Sequence, residues 1–283
     1  MSKVKLELRR EIEHVFGVQN AEISKLIKLG GSNHVYSFIV NEQKYVIKTL
    51  SDNSIMDWKR EKAAYNSLKS FNLTDELVHF DNGIKISKFL EDSKALTYGM
   101  SDMIDSLDLI RKVHESGISI EYDYDIIENM NRYISYCNKK SRRLKKLESY
   151  RDKIDSIHAI LNEINIPRVF CHGDACATNF LRIPNGSIKI IYWEYAGMAD
   201  PLLDIAIATL HQGFEKVDPV WCLHQYLKRA PEKEEYLRLF SFLALNSYAL
   251  MAWYIYGDPG NYKYYLDSAM KYSELVLNCY NDI

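Results

Sequence analysis

The sequence predicts an α+β protein with two lobes: a small β-rich N-terminal lobe over residues 1–90 and a larger, mostly helical lobe over 91–283. Three observations carry this prediction. β-branched and aromatic runs separated by turn residues fill the first ninety residues, with one main helix among them. From Leu96 onward the apolar spacing is mainly helical. A chain of 283 residues suits one large or two small domains, and no repeat or low-complexity linker interrupts it.

The N-terminal lobe is predicted to hold strands in hairpins. "NEQK" separates two β-rich runs, and Asp81-Asn82-Gly83 is a turn sequence typical of hairpins. Helical composition marks the start of the chain and the segment after residue 56. The predicted helices cover 4–16 and 57–70, and the predicted strands cover 23–28, 35–40, 45–50, 77–80 and 84–89.

The C-terminal lobe is predicted to be helical except near its middle, where a short strand at 169–171 and a hairpin of 180–183 with 188–192 appear. The basic stretch 139–153 favours a solvated helix face or connecting loop, with a phosphate- or acid-binding surface as the alternative. The predicted helices cover 103–116, 123–136, 149–164, 202–214, 219–229, 233–256 and 262–280.

Composition excludes several classes of protein. The net charge of −2 gives no signal for nucleic acid or for an anionic membrane as partner. No uninterrupted apolar run approaches the ~18–20 residues of a membrane span, and the charged start lacks the apolar core of a signal peptide. The five scattered cysteines include no CxxC pair, which argues against a disulfide frame or a zinc site. We therefore expect a reduced, cytoplasmic protein.

The segment "VFCHGDACATNFL" carries the clearest chemistry. A short strand delivers Asp174 on a tight loop, and Asn179 follows five residues later. A carboxylate so placed can accept a hydroxyl proton while the carboxamide oxygen holds a metal. By themselves the two residues could equally cap a helix.

Upstream residues complete a pattern. Gly30 and Gly31 lie between strand-like runs, where glycine lets the backbone approach a phosphate closely. Lys48 lies inside a predicted strand and can pair with phosphate oxygens. Glu61 follows on the next helix as a partner for that lysine.

Together these motifs resemble the choline/ethanolamine kinases and aminoglycoside phosphotransferases, which share a protein-kinase-like fold. "GGSNHVY" resembles their nucleotide loop, "VIK" their phosphate-binding lysine, "HGDACATN" their catalytic loop, and "YWEYAGMADPLLDIA" a segment typical of choline kinases. The resemblance extends from about residue 30 to residue 265. It implies ATP and Mg²⁺ as cofactors and a small alcohol as acceptor.

The resemblance also implies individual roles. Asp174 would be the base, Asn179 a magnesium ligand, and Lys48 the nucleotide contact held by Glu61. Residues 87–91 would form the hinge that meets adenine. The nucleotide loop would comprise Gly30, Gly31, Ser32 and Asn33. His172 is expected to brace the catalytic loop.

C-terminal aromatic residues indicate the acceptor. Trp253 and Tyr256 are three residues apart on one helix face, as an aromatic pair is in choline kinases, and Tyr265 follows. Such spacing is common in core packing, but π-faces also bind a quaternary ammonium. Tyr195 is the expected completion of the cage. Because aminoglycosides need an acidic lining, these residues favour choline or a similar amino alcohol over an aminoglycoside.

One position departs from the family pattern. Tyr192 stands where the family has an aspartate that bridges magnesium to the nucleotide phosphates. A neutral phenol is a poor magnesium ligand. Three interpretations remain: Glu194, two residues on, supplies the carboxylate; the chain is a weak or inactive kinase; or the tyrosine is an engineered substitution.

Overall fold

The protein is described here by a computed structural model. It describes residues 3–19, 22–25, 33–50, 57–97, 99–164, 166–210, 217–257 and 259–281. The chain forms two compact units: the first comprises residues 1–96 and 178–195, and the second comprises 97–177 and 196–283. Residues 178–195, which the sequence placed in the C-terminal lobe, therefore belong to the first unit.

The first unit is built on an antiparallel sheet, which has five strands among the described residues, in the order β1-β2-β3-β5-β4. The two predicted hairpins have residues with positive φ at their turns: Asn41 and Glu42 (48° and 64°), and Asn82 and Gly83 (48° and 77°). These angles match the primed turns that suit the twist of paired strands. The strands are β1 (Ile23–Lys25), β2 (Asn33–Val40), β3 (Gln43–Leu50), β4 (Leu77–Asp81) and β5 (Ile84–Lys88).

Two helices belong to the same unit as this sheet. In α1 (Lys3–Phe16), Leu8 and Ile12 share one face and pack with Phe38, Ile47 and other residues of the sheet. The helix α2 (Trp58–Leu68) begins where the Asp57 side chain accepts a hydrogen bond from the Lys59 N–H. Its buried residues are Glu61, Ala64, Tyr65 and Leu68, so Glu61 lies on the buried face.

A smaller antiparallel sheet completes the first unit. Its strands are β6 (Lys94–Ala95), β8 (Phe180–Arg182) and β9 (Ile188–Ile190), in the order β6-β8-β9. The Ile191 N–H donates to the Asn179 carbonyl at 3.0 Å, and the Trp193 indole donates to the Ile190 carbonyl at 3.1 Å. These bonds fix the backbone on both sides of Tyr192.

The second unit is mainly helical, around α9. That helix packs most extensively against α4, α7 and α10, and to a smaller extent against α5 and α6. The strands β7 (Val169–Cys171) and β10 (Gly197–Ala199) form a two-stranded antiparallel sheet, and α7 follows β10 in the chain. The helices are α3 (Met100–His114), α4 (Ile126–Tyr136), α5 (Arg142–Glu148), α6 (Arg151–Glu163), α7 (Leu202–Leu210), α8 (Pro219–Leu227), α9 (Lys233–Tyr256) and α10 (Tyr262–Asn281).

One described helix, α9, is long and apolar enough to cross a membrane by length and composition. The sequence showed no uninterrupted apolar run of that length, because polar residues such as Asn246 are spread along the helix. Within its most apolar window, 67% of the residues are buried inside the protein. That burial is what a core helix requires, so the helix alone is weak evidence for a span.

The helix α5 and the short strands β6 and β10 were not predicted. The strands have two or three residues each, too few to show a period. In α5, Leu144 and Leu147 are buried and the Ser141 side chain accepts from the Leu144 N–H, while its four cations are exposed. The basic stretch is thus in part a solvated helix face, the first of the two alternatives.

Candidate active site

Lys48 is the centre of the polar site in the first unit. Its side chain on β3 is only 2% exposed, and Nζ lies 2.8 Å from Glu61 Oε1 and 3.0 Å from Glu194 Oε2. Burial alone would lower the pKa of Lys48, but the charges of Glu194 and Glu61 outweigh it and raise the pKa. Lys48 is therefore a permanent buried cation shared by two carboxylates. The sequence anticipated Glu61 as its partner but not Glu194.

A cavity of about 240 Å³ opens beside Lys48, within the first unit. Most of its surface is apolar, which suits a flat aromatic ring, although seven of its fourteen lining residues are polar or charged. The predicted hinge contributes three residues to it. The lining comprises Val35, Val46, Lys48, Asp75, Lys85, Lys88, Phe89, Leu90, Ser93, Ala95, Thr178, Leu181, Ile191 and Tyr192.

A second buried lysine lies next to Lys48. Lys85 on β5 is the direct cross-strand partner of Lys48, and its Nζ lies 2.9 Å from Asp75 Oδ2. The Tyr65 hydroxyl donates to Asp75 Oδ1 at 2.6 Å. Burial would raise the pKa of Asp75, but the charge of Lys85 and the hydrogen bond from Tyr65 help to lower it to about 2. The only sequence signal for this group was a lysine inside an apolar strand.

Tyr192 has an unusual backbone conformation. It lies just after β9 with φ of 67°, the left-handed region in which Asn and Asp are enriched and bulky residues are rare. Lys48 Nζ lies 5.1 Å from the centre of its ring. Burial raises the pKa of Tyr192, although Lys48 acts in the opposite direction. The position therefore carries a neutral phenol where the backbone geometry suits a short carboxylate.

Asn179 and Glu194 flank this position in the first unit. Asn179 ends a 3₁₀ turn, Ala177–Asn179, and its side chain is buried. Glu194 is 4% exposed and engaged with Lys48. Gly30, Gly31 and Ser32 of the predicted nucleotide loop lie outside the described residues. Asn33 begins β2, but its side chain lies outside them too.

The first part of the predicted catalytic loop, residues 172–177, lies in the second unit, where the Asp204 carboxylate binds its backbone. The Asp204 carboxylate is 1% exposed and accepts the N–H groups of His172 (2.7 Å) and Gly173 (2.8 Å). Gly173 has φ of 75°, which favours glycine. His172 Nδ1 accepts the Asp174 N–H at 3.2 Å, which agrees with a bracing role. Asp174 itself is partly exposed.

His114 extends this support. Its Nε2 lies 3.1 Å from Asp204 Oδ2 and its Nδ1 lies 2.8 Å from the Tyr226 hydroxyl. Burial would raise the pKa of Asp204, but the hydrogen bond and charge of His114, with smaller contributions from His172, lower it. Asp204 is thus an ionised, buried acceptor that fixes the loop from which Asp174 projects.

Aromatic side chains gather at the ends of α4 and α9, in the second unit. The ring centroids of Trp253 and Tyr256 are 6.0 Å apart, Tyr133 lies 5.4 Å from Trp253, and Tyr136 lies 5.6 Å from Tyr256. We call these four residues the aromatic cluster. All but Tyr136, which is 45% exposed, are partly buried. The sequence identified the two residues on α9 but not the two on α4, whose i, i+3 spacing gave only a helical pattern.

Two other aromatic candidates lie elsewhere. Tyr265 is fully buried, stacked on Tyr254 with ring centroids 5.1 Å apart, and its hydroxyl lies 3.5 Å from the Leu210 carbonyl. A ring packed in this way presents no face to a ligand, so the structure assigns Tyr265 to the core. Tyr195 is partly buried in the first unit.

A known protein family matches most of the chain. The family model for choline/ethanolamine kinase matches residues 25–241 of the chain. Protein LicA of Haemophilus influenzae is 24% identical over 219 residues, covering 73% of this chain and 64% of LicA. LicA of the strain Rd is 25% identical over 187 residues, covering 62% of this chain and 69% of that protein. The chain therefore spans about two thirds of the length of these relatives.

Solved structures show the same fold. Choline kinase LicA from Streptococcus pneumoniae is 19% identical with a TM-score of 0.78, covering 98% of this chain and all of that one. Ethanolamine kinase from Plasmodium vivax gives 16% and 0.71 over 96% of this chain and 89% of that one. Spectinomycin phosphotransferase gives 15% and 0.57 over 95% and 93%. These likenesses confirm the predicted α+β, protein-kinase-like fold class.

Proposed function

Because the chain belongs to the choline/ethanolamine kinase family, we propose that it transfers the γ-phosphoryl group of ATP to the hydroxyl of choline or a similar small amino alcohol. We propose the cytoplasm as the place of this reaction.

The observation that carries the proposal is the buried ion pair of Lys48 with Glu61 at the edge of an apolar cavity. A lysine fixed by a helix glutamate is the recurring phosphate contact of protein-kinase-like enzymes. Holding Lys48 rigid lowers the cost of orienting it when the phosphates arrive. Lys88, Phe89 and Leu90 of the predicted hinge line the cavity in which the base would bind, and the N–H groups of Lys88 and Phe89 already donate to the Glu76 and Lys44 carbonyls.

On the acceptor side, Asp174 would accept the proton of the hydroxyl as it attacks phosphorus. Asp204 and His172 serve this step by fixing the loop backbone, since both bond to N–H groups of residues 172–174. The transition state is loose, so positioning and charge neutralisation supply most of the catalysis.

The residues that would hold Mg²⁺ are Asn179 and Glu194. Their amide and carboxylate oxygens are the donors that Mg²⁺ prefers, and both side chains are buried in the first unit. Tyr192 adds no ligand because its phenol stays neutral. When bound, Mg²⁺ neutralises negative charge on the nucleotide phosphates.

The aromatic cluster supports an amino alcohol with a quaternary ammonium group. Such a group has no N–H to donate, so it binds the faces of aromatic rings, each worth about 0.5–2 kcal/mol. Aminoglycosides carry several ammonium groups and need carboxylates around them, whereas the four members of the cluster are neutral. Asp258, the nearest acidic residue in sequence to the end of α9, lies outside the described residues.

Turnover tests the proposal directly. A coupled assay should show ADP release with choline, less with ethanolamine, and none with kanamycin. Asp174→Asn, which keeps the size of the side chain but removes the base, should lose this turnover. Kanamycin turnover without choline turnover would instead assign the chain to the antibiotic-modifying branch.

A second candidate function is binding of nucleotide or choline without turnover. The neutral Tyr192 in place of the family aspartate favours it. Comparison with Tyr192→Asp separates the two: robust turnover that the substitution leaves unchanged would exclude an inactive protein, whereas a large gain would show that the tyrosine limits the rate.

A further inference from the structure

We propose that Glu194 changes partners when nucleotide binds, from Lys48 in the free protein to a divalent metal ion in the nucleotide complex, so that the metal binds only together with nucleotide and tightens its binding. This inference rests on the proposed function, because it requires a nucleotide at Lys48. It concerns the order and coupling of binding, which the family pattern does not give for a chain that lacks the usual aspartate.

Residue 192 offers no metal site in the free protein. Its side chain is a neutral phenol whose ring lies beside the Lys48 ammonium, 5.1 Å from ring centre to Nζ. A metal ion there would meet a nearby positive charge and would find no carboxylate at the position. The metal's carboxylate must therefore come from elsewhere.

Glu194 is the candidate, but in the free protein it is already engaged. Its Oε2 lies 3.0 Å from Lys48 Nζ and its side chain is 5% exposed. A metal ion approaching Glu194 would have to displace a lysine ammonium from a buried carboxylate. Removing one of two carboxylates from a buried ammonium loses a short, desolvated ion pair, which is unfavourable unless another anion takes its place. Metal alone is thus expected to bind weakly.

Lys48, however, has a second carboxylate. Glu61 Oε1 lies 2.8 Å from the same nitrogen. If Glu194 leaves, Lys48 keeps Glu61 and is not orphaned. A nucleotide phosphate that bonds to Lys48 supplies the negative charge that Glu194 withdraws. The phosphate also supplies oxygen ligands for the metal in addition to those of Glu194 and Asn179.

The two glutamates are therefore unequal despite sharing one lysine. Glu61 projects from α2 and serves as the permanent holder, whereas Glu194 lies two residues after Tyr192, beside the Asn179–Ile191 hydrogen bond. Of the two glutamates, only Glu194 lies in residues 178–195, the segment that also contains Asn179, the other proposed metal ligand. This difference provides a matched pair of variants.

The test measures the dissociation constant of a fluorescent ADP analogue in EDTA and in excess Mg²⁺. In the unmodified chain Mg²⁺ should tighten binding by at least about tenfold, the range over which ligand and support residues change metal affinity. Glu194→Gln should lose this tightening yet bind ADP in EDTA as well as or better than the unmodified chain, because its side chain no longer competes for Lys48. Glu61→Gln should weaken ADP binding in both conditions, because Lys48 loses its holder, but should keep the tightening, because the nucleotide phosphates still replace Glu194 at Lys48.

A second measurement follows free Mn²⁺ by electron paramagnetic resonance without nucleotide. The unmodified chain should leave the Mn²⁺ signal unchanged, and Tyr192→Asp should reduce it, because position 192 then adds a third carboxylate beside the single Lys48 ammonium, which already pairs with Glu61 and Glu194. This readout does not depend on turnover.

The outcomes separate the two proposals. Nucleotide-free binding of Mn²⁺ by the unmodified chain, or Mg²⁺ tightening that survives in Glu194→Gln, would overturn the exchange of partners. ADP binding that is equal in EDTA and Mg²⁺ would also overturn it while leaving nucleotide binding in place. Failure to bind ADP under any condition would instead overturn the proposed function.

Discussion

Replacement of Asp204 by asparagine tests how the catalytic loop is held. The carboxylate accepts three hydrogen bonds, from the backbone of His172 and Gly173 and from the His114 ring, and is buried. Asparagine has nearly the same shape but only one acceptor oxygen, and its amide group would point toward N–H donors. The substitution therefore removes acceptors without creating a cavity.

The expected loss follows from these bonds. A hydrogen bond to a charged group contributes about 1.5–3 kcal/mol, and at least one of the three is lost while a buried donor is left without a partner. We expect the free energy of unfolding to fall by about 3 kcal/mol. At roughly 2–4 °C per kcal/mol for a protein of this size, Tm should fall by about 6–12 °C.

The pH dependence has a definite sign. The folded state lowers the pKa of Asp204 from its ordinary value of 3.8, so the unfolded chain takes up this proton first as the pH falls. The stabilisation by Asp204 is present above that ordinary value and is lost as the pH falls through the folded-state pKa. The Tm difference between the unmodified chain and Asp204→Asn should therefore be constant near neutral pH and shrink in acid below about pH 4.

Thermal unfolding followed by circular dichroism provides the assay, with Asp108→Asn as control. Asp108 forms exposed ion pairs with Arg111 and Lys228, and such pairs are worth about 0–1 kcal/mol. If Tm of Asp204→Asn stayed within about 2 °C of the unmodified chain, the idea that this carboxylate holds the loop would be wrong. At an assay temperature at which the variant is still folded, choline turnover should fall, because Asp174 loses its fixed position.

Three further substitutions have distinct expected results. Tyr192→Asp should raise kcat for choline by roughly 10²-fold, as expected when a preorganised charge partner is restored; an unchanged kcat would show that this position does not limit the rate. Trp253→Ala should raise KM for choline by roughly 2–30-fold with KM for ATP unchanged, measured against Tyr280→Ala, which alters an exposed ring on α10. Arg238 donates hydrogen bonds of 2.8 and 2.7 Å to the Asp200 carboxylate, so Arg238→Met leaves that carboxylate without its cation and should lower the free energy of unfolding by about 3–5 kcal/mol in denaturant titrations. A double variant with Asp200→Asn should recover part of the loss, and simple additivity of the two single losses would contradict the pairing.

Features that depend on neighbouring residues were predictable from the sequence. The turns at Asn41 and at Asn82-Gly83 follow from local backbone preferences, and both hairpins form. The helix α9 begins and ends where the spacing predicted, at Lys233 and Tyr256. Lys48 on β3 and Glu61 on α2 are only 13 residues apart in sequence, and their predicted pair forms.

Features that depend on tertiary packing were not predictable. The pairing of Lys85 with Lys48 requires β5 to lie next to β3, which sheet order decides. Tyr133 and Tyr136 join Trp253 only because α4 packs on α9. Tyr265 has the same sequence appearance as a ligand-binding ring, and only its complete burial assigns it to the core.

Residues 178–195 belong to the first unit although they follow most of the second unit in sequence, and this has a consequence for how the chain folds. Lys48 meets its second carboxylate, Glu194, across 146 residues of sequence. During synthesis from the N-terminus, the first ninety-six residues emerge with their sheet but without β8, β9 or Glu194. We therefore expect an N-terminal fragment that ends at residue 96 to fold incompletely around Lys48, and the nucleotide cavity to close only after the ribosome has passed residue 195.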